Sequence, residues 1–576
     1  MTTKDKPDTD ASSQPTITAG GALLARLKAV GVDYIFANSG TDFPPIIEGL
    51  AEAQAKNIDL PIALTMPHES AAMGMAHGYF LATGRAQAVM AHTNVGLANC
   101  AIGAINAAVE NIPVLLFSGR TPTVEQGRFG ARTVPIGWGQ EMRDQTALVR
   151  EASKWDYELR FPEQALEVAD RAYAIANSTP KGPVYLSLPR EVLCQACPSD
   201  DLARPLSMAP VLVSPDATLI AETARLLAGA KHPVIFAQHG AGSDAAFAAL
   251  SAIADRWAIP VCQYWAVQLG LPTDHPMASQ ADPAPLLADA DVILVIDALA
   301  PWSPNKHGPR ADAKIIQLGP DPLKQRMPIR NFRSDISIAC ETSDGILALK
   351  AALGALTPDA AVPDRRARIA EHNAEGRQQV IARAQAGRDG VMGRDWLALC
   401  VSEAIRHRKA TVFSELGVPL APLALDAHRS WYQEPHAGGL GWCFPAALGM
   451  QLADRERLVV ATMGDGSYMF ANPVACHQIA EALSLPILLI VVNNAEWGAV
   501  RQSVLDVYPQ GYASKTNAMP LTGLAPVPDF AKVAEASRAW ARRVTDGNAL
   551  PQALADAIAH IDVTGTMALL DVRVKA

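Results

Sequence analysis

The stretch from Leu458 to Asn494 holds the residues best suited to chemistry. An apolar strand runs into Gly464-Asp465-Gly466, and 26 residues later a second apolar run ends at Asn493-Asn494. Two parallel strands joined by a helix place both C-terminal ends on one edge of a sheet, where α/β proteins bind their ligands. Asp465 and Asn494 are therefore expected to converge. A carboxylate with an amide oxygen is a hard donor set suited to Mg²⁺, which takes few protein ligands and completes its shell with phosphate oxygens. Glycines beside Asp465 let backbone N–H groups approach an anion. The local chemistry predicts a Mg²⁺-bridged diphosphate site, and Asn472 with Pro473 is expected to cap the joining helix. Three residues alone would fit an ordinary strand–turn–helix with a solvent-facing aspartate better.

The elements that must position these residues recur along the chain. Its 576 residues suggest three or four domains at roughly 100–200 residues each. Two segments read as linkers: Pro198–Asp216, and Thr357–Gly393 with a charged helical stretch inside it. Cutting there leaves 15–197, 217–352 and 390–576. Each alternates helical stretches with short apolar strands, the pattern of parallel α/β layers. Predicted strands are Tyr34–Ala37, Ala88–Ala91 and Pro113–Phe117; then Pro233–Ala237, Asp291–Ile296 and Lys314–Leu318; then Thr411–Phe413, Leu458–Thr462 and Pro486–Val492. A helix is predicted over Glu69–Ala82. The fold class expected is three doubly wound α/β domains with mainly parallel sheets.

Composition excludes several classes. A formal charge of −9 argues against nucleic acid as partner, and 49% hydrophobic content supports packed cores rather than disorder. The longest apolar run, Leu485–Val492, is far short of the ~20 residues that span a bilayer. The first sixteen residues are polar, with no apolar core of a targeting signal. Eight scattered cysteines fit a reducing cytoplasm, and Cys194 and Cys197, the one CxxC, read as ordinary thiols.

Over nearly its whole length the chain resembles the thiamine diphosphate (ThDP) enzymes of the acetolactate synthase, pyruvate decarboxylase and benzoylformate decarboxylase superfamily. Gly-Asp-Gly, 26 residues and Asn-Asn is similar to that superfamily's cofactor motif. GGLGWCFPAALGMQLAD resembles the stretch preceding it, HESAAMGMAHGYFLATGR the glutamate-bearing helix, and AHTNVGLANCAIGAINAAVENIPVLLFSG the strand–loop–helix that follows. No Walker A sequence and no GxGxxG is present.

The resemblance implies a role for each matching residue. Glu69 matches the glutamate that hydrogen-bonds the aminopyrimidine ring and favours its imino tautomer. Asp465 and Asn494 match the Mg²⁺ ligands, with the backbone carbonyl of Glu496 as third. Gly464, Gly466 and Ser467 fall in the diphosphate-binding turn. Leu440 matches the bulky residue that props the cofactor into its bent form. His92 matches an active-site histidine able to shuttle protons near neutral pH, and Thr41 a substrate-contacting serine. Gln140 resembles a glutamine of acetolactate synthases, although the preceding phenylalanine is Gly139 here. Trp497 is a candidate for the substrate cavity, and His307 reads better as a surface histidine.

The implied activity is a ThDP- and Mg²⁺-dependent 2-oxo acid decarboxylase/carboligase, with product either protonated to an aldehyde or ligated to a second carbonyl. A ThDP-dependent lyase or C–C hydrolase on an acyl-CoA, acyloin or dione stays open, as does a catalytically silent homologue. The resemblance also implies a homodimer or homotetramer with active sites between subunits. FAD or ADP in the central domain is possible on family grounds, but the turn Gln238-His239-Gly240-Ala241-Gly242 is too generic to support either.

Overall fold

In the computed structural model, which describes residues 16–279 and 282–575, the strand Gln87–Ala91 has every residue buried. So do Val184–Pro189, Pro233–Ala237, Val292–Ile296, Ala410–Glu415 and Leu488–Asn493. Strands covered on both faces read as mainly apolar runs, which is why the sequence located all of these but Val184–Pro189 within a residue or two.

They belong to three six-stranded sheets in which every pairing is parallel. The first runs Ile62–Thr65, Tyr34–Ala37, Gln87–Ala91, Val114–Arg120, Val184–Pro189, Asp156–Glu158. The third repeats that order: Trp431–Gln433, Ala410–Glu415, Leu458–Gly464, Leu488–Asn493, Ala568–Arg573, Trp540–Val544. The central sheet runs Ala278–Ser279, Val261–Cys262, Pro233–Ala237, Val292–Ile296, Lys314–Gly319, Ile336–Ala339. Three doubly wound α/β domains follow. In each, the order reverses beside the first strand, opening a crevice at the strand C-termini.

The outer domains dock through two helices, Glu69–Thr83 and Cys443–Ala453, both almost wholly buried. Glycines allow the approach: a Cβ on Gly78 would lie 1.8 Å from the Ala446 carbonyl oxygen, and one on Gly449 2.1 Å from that of Met75. Neither segment expected to be a linker hangs free. The buried Arg26–Asp170 pair, bonded at 2.6 Å, pins Arg204, Pro205 and Ser207 through the Arg204 and Pro205 carbonyls and the Ser207 amide. Most of 357–393 is one helix, Val362–Ala386, whose Arg365 donates to the carbonyls of Ala230, Trp257 and Ala258 at the ends of two central-domain helices.

Among the described residues, no helix is long and apolar enough to cross a membrane and no disulfide joins the cysteines. The polar start of the chain, 1–15, lies outside the described residues, as does Ala576.

Candidate active site

The predicted residues fall into two clusters. The first occupies the crevice of the N-terminal sheet, between Tyr34–Ala37 and Gln87–Ala91. The loop after Tyr34–Ala37 delivers Asp42, and His92 caps the helix Thr93–Val109 that follows Gln87–Ala91. Asp42 Oδ1 bonds His92 Nδ1, while its Oδ2 accepts from the Thr93 amide at 3.2 Å. Missing side chains make the room: a Cβ on Gly40 would stand 2.1 Å from His92 Nδ1, and one on Gly119 1.5 Å from Asp42 Oδ2.

Gln140 closes the row, its Nε2 lying 3.0 Å from His92 Nε2. Glu141 anchors the Gln140 loop by accepting from Arg120 at 2.5 Å, from the Thr121 hydroxyl at 2.8 Å, and from Arg132. A Cβ on Gly139 would meet nothing, so a side chain there is not excluded by the fold. The hydrogen bond from Asp42 raises the His92 pKa; burial opposes it, and the charges of Asp42 and Glu69 add to the rise. Thr41 lines the same small cleft as Asp42, Thr93 and Gln140. Glu69, buried at the first residue of its helix, accepts from Asn99 at 3.1 Å.

The second cluster lies at the crevice of the C-terminal sheet. Asp465 and Asn494 follow the paired strands Leu458–Gly464 and Leu488–Asn493, as the spacing predicted. Asp465 Oδ1 accepts from the Gly466 amide at 2.9 Å and Oδ2 from Ala495 at 2.7 Å; Asn494 Oδ1 accepts from Glu496 at 3.1 Å. Burial raises the Asp465 pKa against those bonds, so a bound cation would relieve a real cost. Glu496 turns its carboxylate to Arg501 and Thr522, and its carbonyl accepts from Gly498 at 2.8 Å, which leaves one carbonyl lone pair.

Leu440 rides on a turn gripped from both sides. Asn106 exchanges two hydrogen bonds with Gly439, and Glu415 accepts from the amides of Gly441 at 2.5 Å and Cys443 at 2.7 Å. Wholly buried, Glu415 has its pKa pushed up to about 7, those amides and Ser467 pulling the other way. Beside it a cavity of about 420 Å³ is lined by Tyr264, Arg394, Leu416, Val418 and Glu434. Leu416 abuts Gly464, so this cavity adjoins the Gly-Asp-Gly turn. A hard-oxygen pair beside a cavity of that size fits a Mg²⁺-bound diphosphate cofactor.

Two expectations need correcting. Asn472 does stand at the N-cap of the helix Pro473–Ala482 with Pro473 in its first turn, but a short helix, Asp465–Phe470, precedes it, and Asn472 is left-handed (φ 52°) with no capping side-chain bond. Trp497 packs the turn: a Cβ on Gly466 would stand 2.2 Å from its ring, which also lies edge-on against Phe470. His307 is not a surface residue: its imidazole is 11% exposed, sits edge-on against Tyr264 and accepts from the Ser303 amide.

Asp42 and Glu415 escaped the sequence reading. The first left a trace, lying next to Thr41, while Glu415 is simply a polar residue ending an apolar strand. Gln238 is engaged internally by Tyr264, Leu299 and Ala300.

Comparison with known proteins adds the following. Residues 17–148 match the family model "Thiamine pyrophosphate enzyme, N-terminal TPP binding domain", 220–349 the central domain and 420–572 the C-terminal TPP binding domain. A probable 2-ketoarginine decarboxylase of Pseudomonas aeruginosa is 28% identical over 523 residues, 89% of each chain. A sulfoacetaldehyde acetyltransferase of Rhodobacter capsulatus is 26% identical over 84% of each. The solved structure of a thiamine diphosphate-dependent 4-hydroxybenzoylformate decarboxylase from Rhodococcus jostii superposes with a TM-score of 0.76, covering 97% of this chain and 99% of that one at 22% identity.

Proposed function

The chain belongs to the thiamine pyrophosphate-dependent enzymes, and from that premise we propose that it is a Mg²⁺-dependent 2-oxo acid decarboxylase/carboligase. The observation that carries the reading is His92, held between Asp42 and Gln140 with a raised pKa. The raised pKa moves this imidazole toward the charged form, and an imidazole so placed can take up and deliver a proton. The relatives' names cover both outcomes, decarboxylation and acetyl transfer.

In this reading Asp465, Asn494 and the Glu496 carbonyl hold Mg²⁺, and Gly464, Gly466 and Ser467 face the diphosphate. Bound there, thiamine diphosphate would supply a carbon nucleophile and an electron sink for loss of CO₂. Leu440, on its gripped turn, supports the bent cofactor. Glu69 would share its proton with the pyrimidine ring nitrogen and so favour the imino tautomer. Asp42 accepts from His92 Nδ1 and favours the ring's protonation, the Gln140 amide donates to the outer nitrogen of the neutral ring, and Thr41 offers a hydroxyl to the substrate.

The same reading assigns 15–197 to pyrimidine binding, 217–352 to the central domain and 390–576 to diphosphate binding. It also takes the working unit to be a homodimer. Val95 and Ile105, on the helix beside Glu69, stand exposed, and so do Phe470 and Val474 beside the Gly-Asp-Gly turn. Exposed apolar side chains beside both half-sites support an interface there.

Product analysis tests the outcome. With ThDP, Mg²⁺, aliphatic and aromatic 2-oxo acids and an acceptor aldehyde, CO₂ should appear with either an aldehyde or a 2-hydroxy ketone. Turnover of a dione, acyloin or acyl-CoA without CO₂ would reject the proposal.

A further inference from the structure

Apart from both clusters, Glu110, His239 and His436 meet where the three domains join. Glu110 ends the helix Thr93–Val109. His239 follows Pro233–Ala237 at the reversal of the central sheet, and His436 follows Trp431–Gln433 in the C-terminal domain. Their ligand atoms all lie within 4.8 Å of one another. His239 Nε2 stands 2.8 Å from Glu110 Oε2, and His436 Nδ1 stands 3.8 Å from Glu110 Oε1.

His239 Nε2 and Glu110 Oε2 face each other at 2.8 Å without an aligned hydrogen bond to any other group, and His436 Nδ1, buried beside them, has no hydrogen-bond partner. The other ring nitrogens explain why the facing ones are bare. His239 Nδ1 lies 2.6 Å from the Asp297 carbonyl, and His436 Nε2 lies 3.1 Å from the Trp265 carbonyl. A carbonyl only accepts, so each neutral ring carries its proton outward and turns a lone pair inward. Two lone pairs and a carboxylate then face one point, and a metal ion would satisfy all three at once where a single proton on His239 satisfies only two. Carbonyl-oriented imidazoles are also the usual support of histidine metal ligands.

We propose that Glu110, His239 and His436 form a Zn²⁺ site that staples the three domains, one ligand from each. Zn–N and Zn–O bonds of about 2.0–2.2 Å put tetrahedral ligands roughly 3.3 Å apart, and the separations of 2.8 and 3.8 Å bracket that value. Two imidazoles with one carboxylate suit zinc, whereas Mg²⁺ prefers oxygen. Glu110 and His239 line a cavity of about 180 Å³, shared with Lys181, Asp297 and Arg429, which has room for a water as fourth ligand. A protonated His239 would satisfy Glu110 without metal but leave the His436 nitrogen bare. The site stands independently of the cofactor reading.

The test uses the full-length chain, stripped with chelator, dialysed and titrated calorimetrically with Zn²⁺ alone under excess Mg²⁺. One Zn²⁺ per chain is expected, with a raised Tm. Affinity should fall at least about 10-fold in Glu110→Gln and in His436→Asn, and persist in Asp465→Ala. Co²⁺ in the unmutated chain should give the visible absorption of a four-coordinate N/O site, a readout that no variant's folding can obscure. Failure to bind Zn²⁺, binding unchanged by Glu110→Gln and His436→Asn, binding lost in Asp465→Ala, or a six-coordinate Co²⁺ spectrum would each overturn the proposal.

Discussion

His92 owes its raised pKa first to the hydrogen bond from Asp42. Asp42→Asn keeps an acceptor but removes the carboxylate charge that favours the imidazolium, leaving burial, which acts downward, against Glu69 alone, so the pKa should fall. An activity that needs the imidazolium declines as pH rises through this pKa. The decline in kcat/KM should therefore move to lower pH in Asp42→Asn, and an unmoved profile would detach Asp42 from the chemistry. The stability carried by this pair is complete below the ordinary value of 6.5 and is lost as pH rises through the raised one. His92→Ala should lower kcat by about 10²–10⁴ with little change in ThDP affinity, since general acid catalysis contributes on that scale. Asp465→Ala should abolish Mg²⁺-dependent ThDP binding in a calorimetric titration, because the oxygen pair is broken.

At the scale of elements, the docking of Glu69–Thr83 against Cys443–Ala453 decides stability. Helix propensity alone favours Gly78→Ala by up to about 1 kcal/mol. Here the new Cβ would meet a backbone oxygen at 1.8 Å, which no rotamer change relieves. The contact wins, and Gly78→Ala should lower Tm by an amount equivalent to about 1–3 kcal/mol. Glu415 gives a second prediction. Its pKa of about 7, against an ordinary 4.5, keeps the folded state protonated where the unfolded chain is not. The wild type thus loses stability from this group as pH rises from 4.5 to 7. The Tm of Glu415→Gln relative to wild type should climb across that window, and a flat difference would contradict the assignment. Most of the buried parallel strands were legible because each is a mainly apolar run. The helix start at Asn472-Pro473 was legible, whereas the short helix Asp465–Phe470 was not, because it follows directly on its strand with no break in the pattern.

For the whole molecule, what the sequence could reveal depended on the distance over which partners meet. Asp465 and Asn494 sit on neighbouring strands joined by one short crossover, so their spacing alone announced their convergence. Asp42, His92 and Gln140 span nearly a hundred residues and meet only through the sheet reversal, and Glu110, His239 and His436 meet only through domain docking. No local pattern encodes either meeting. At this scale a homodimer or homotetramer is expected by sedimentation, its dimer contact covering Val95, Ile105, Phe470 and Val474, and a charged substitution at Ile105 should weaken it. Its central claim is ThDP-dependent loss of CO₂ from a 2-oxo acid under the control of Glu69. The most direct test is CO₂ release from pyruvate and benzoylformate with ThDP and Mg²⁺, for wild type and Glu69→Gln. The account predicts release by the wild type and loss of at least about 100-fold in the variant, with cofactor still bound. Equal release by both proteins would contradict it.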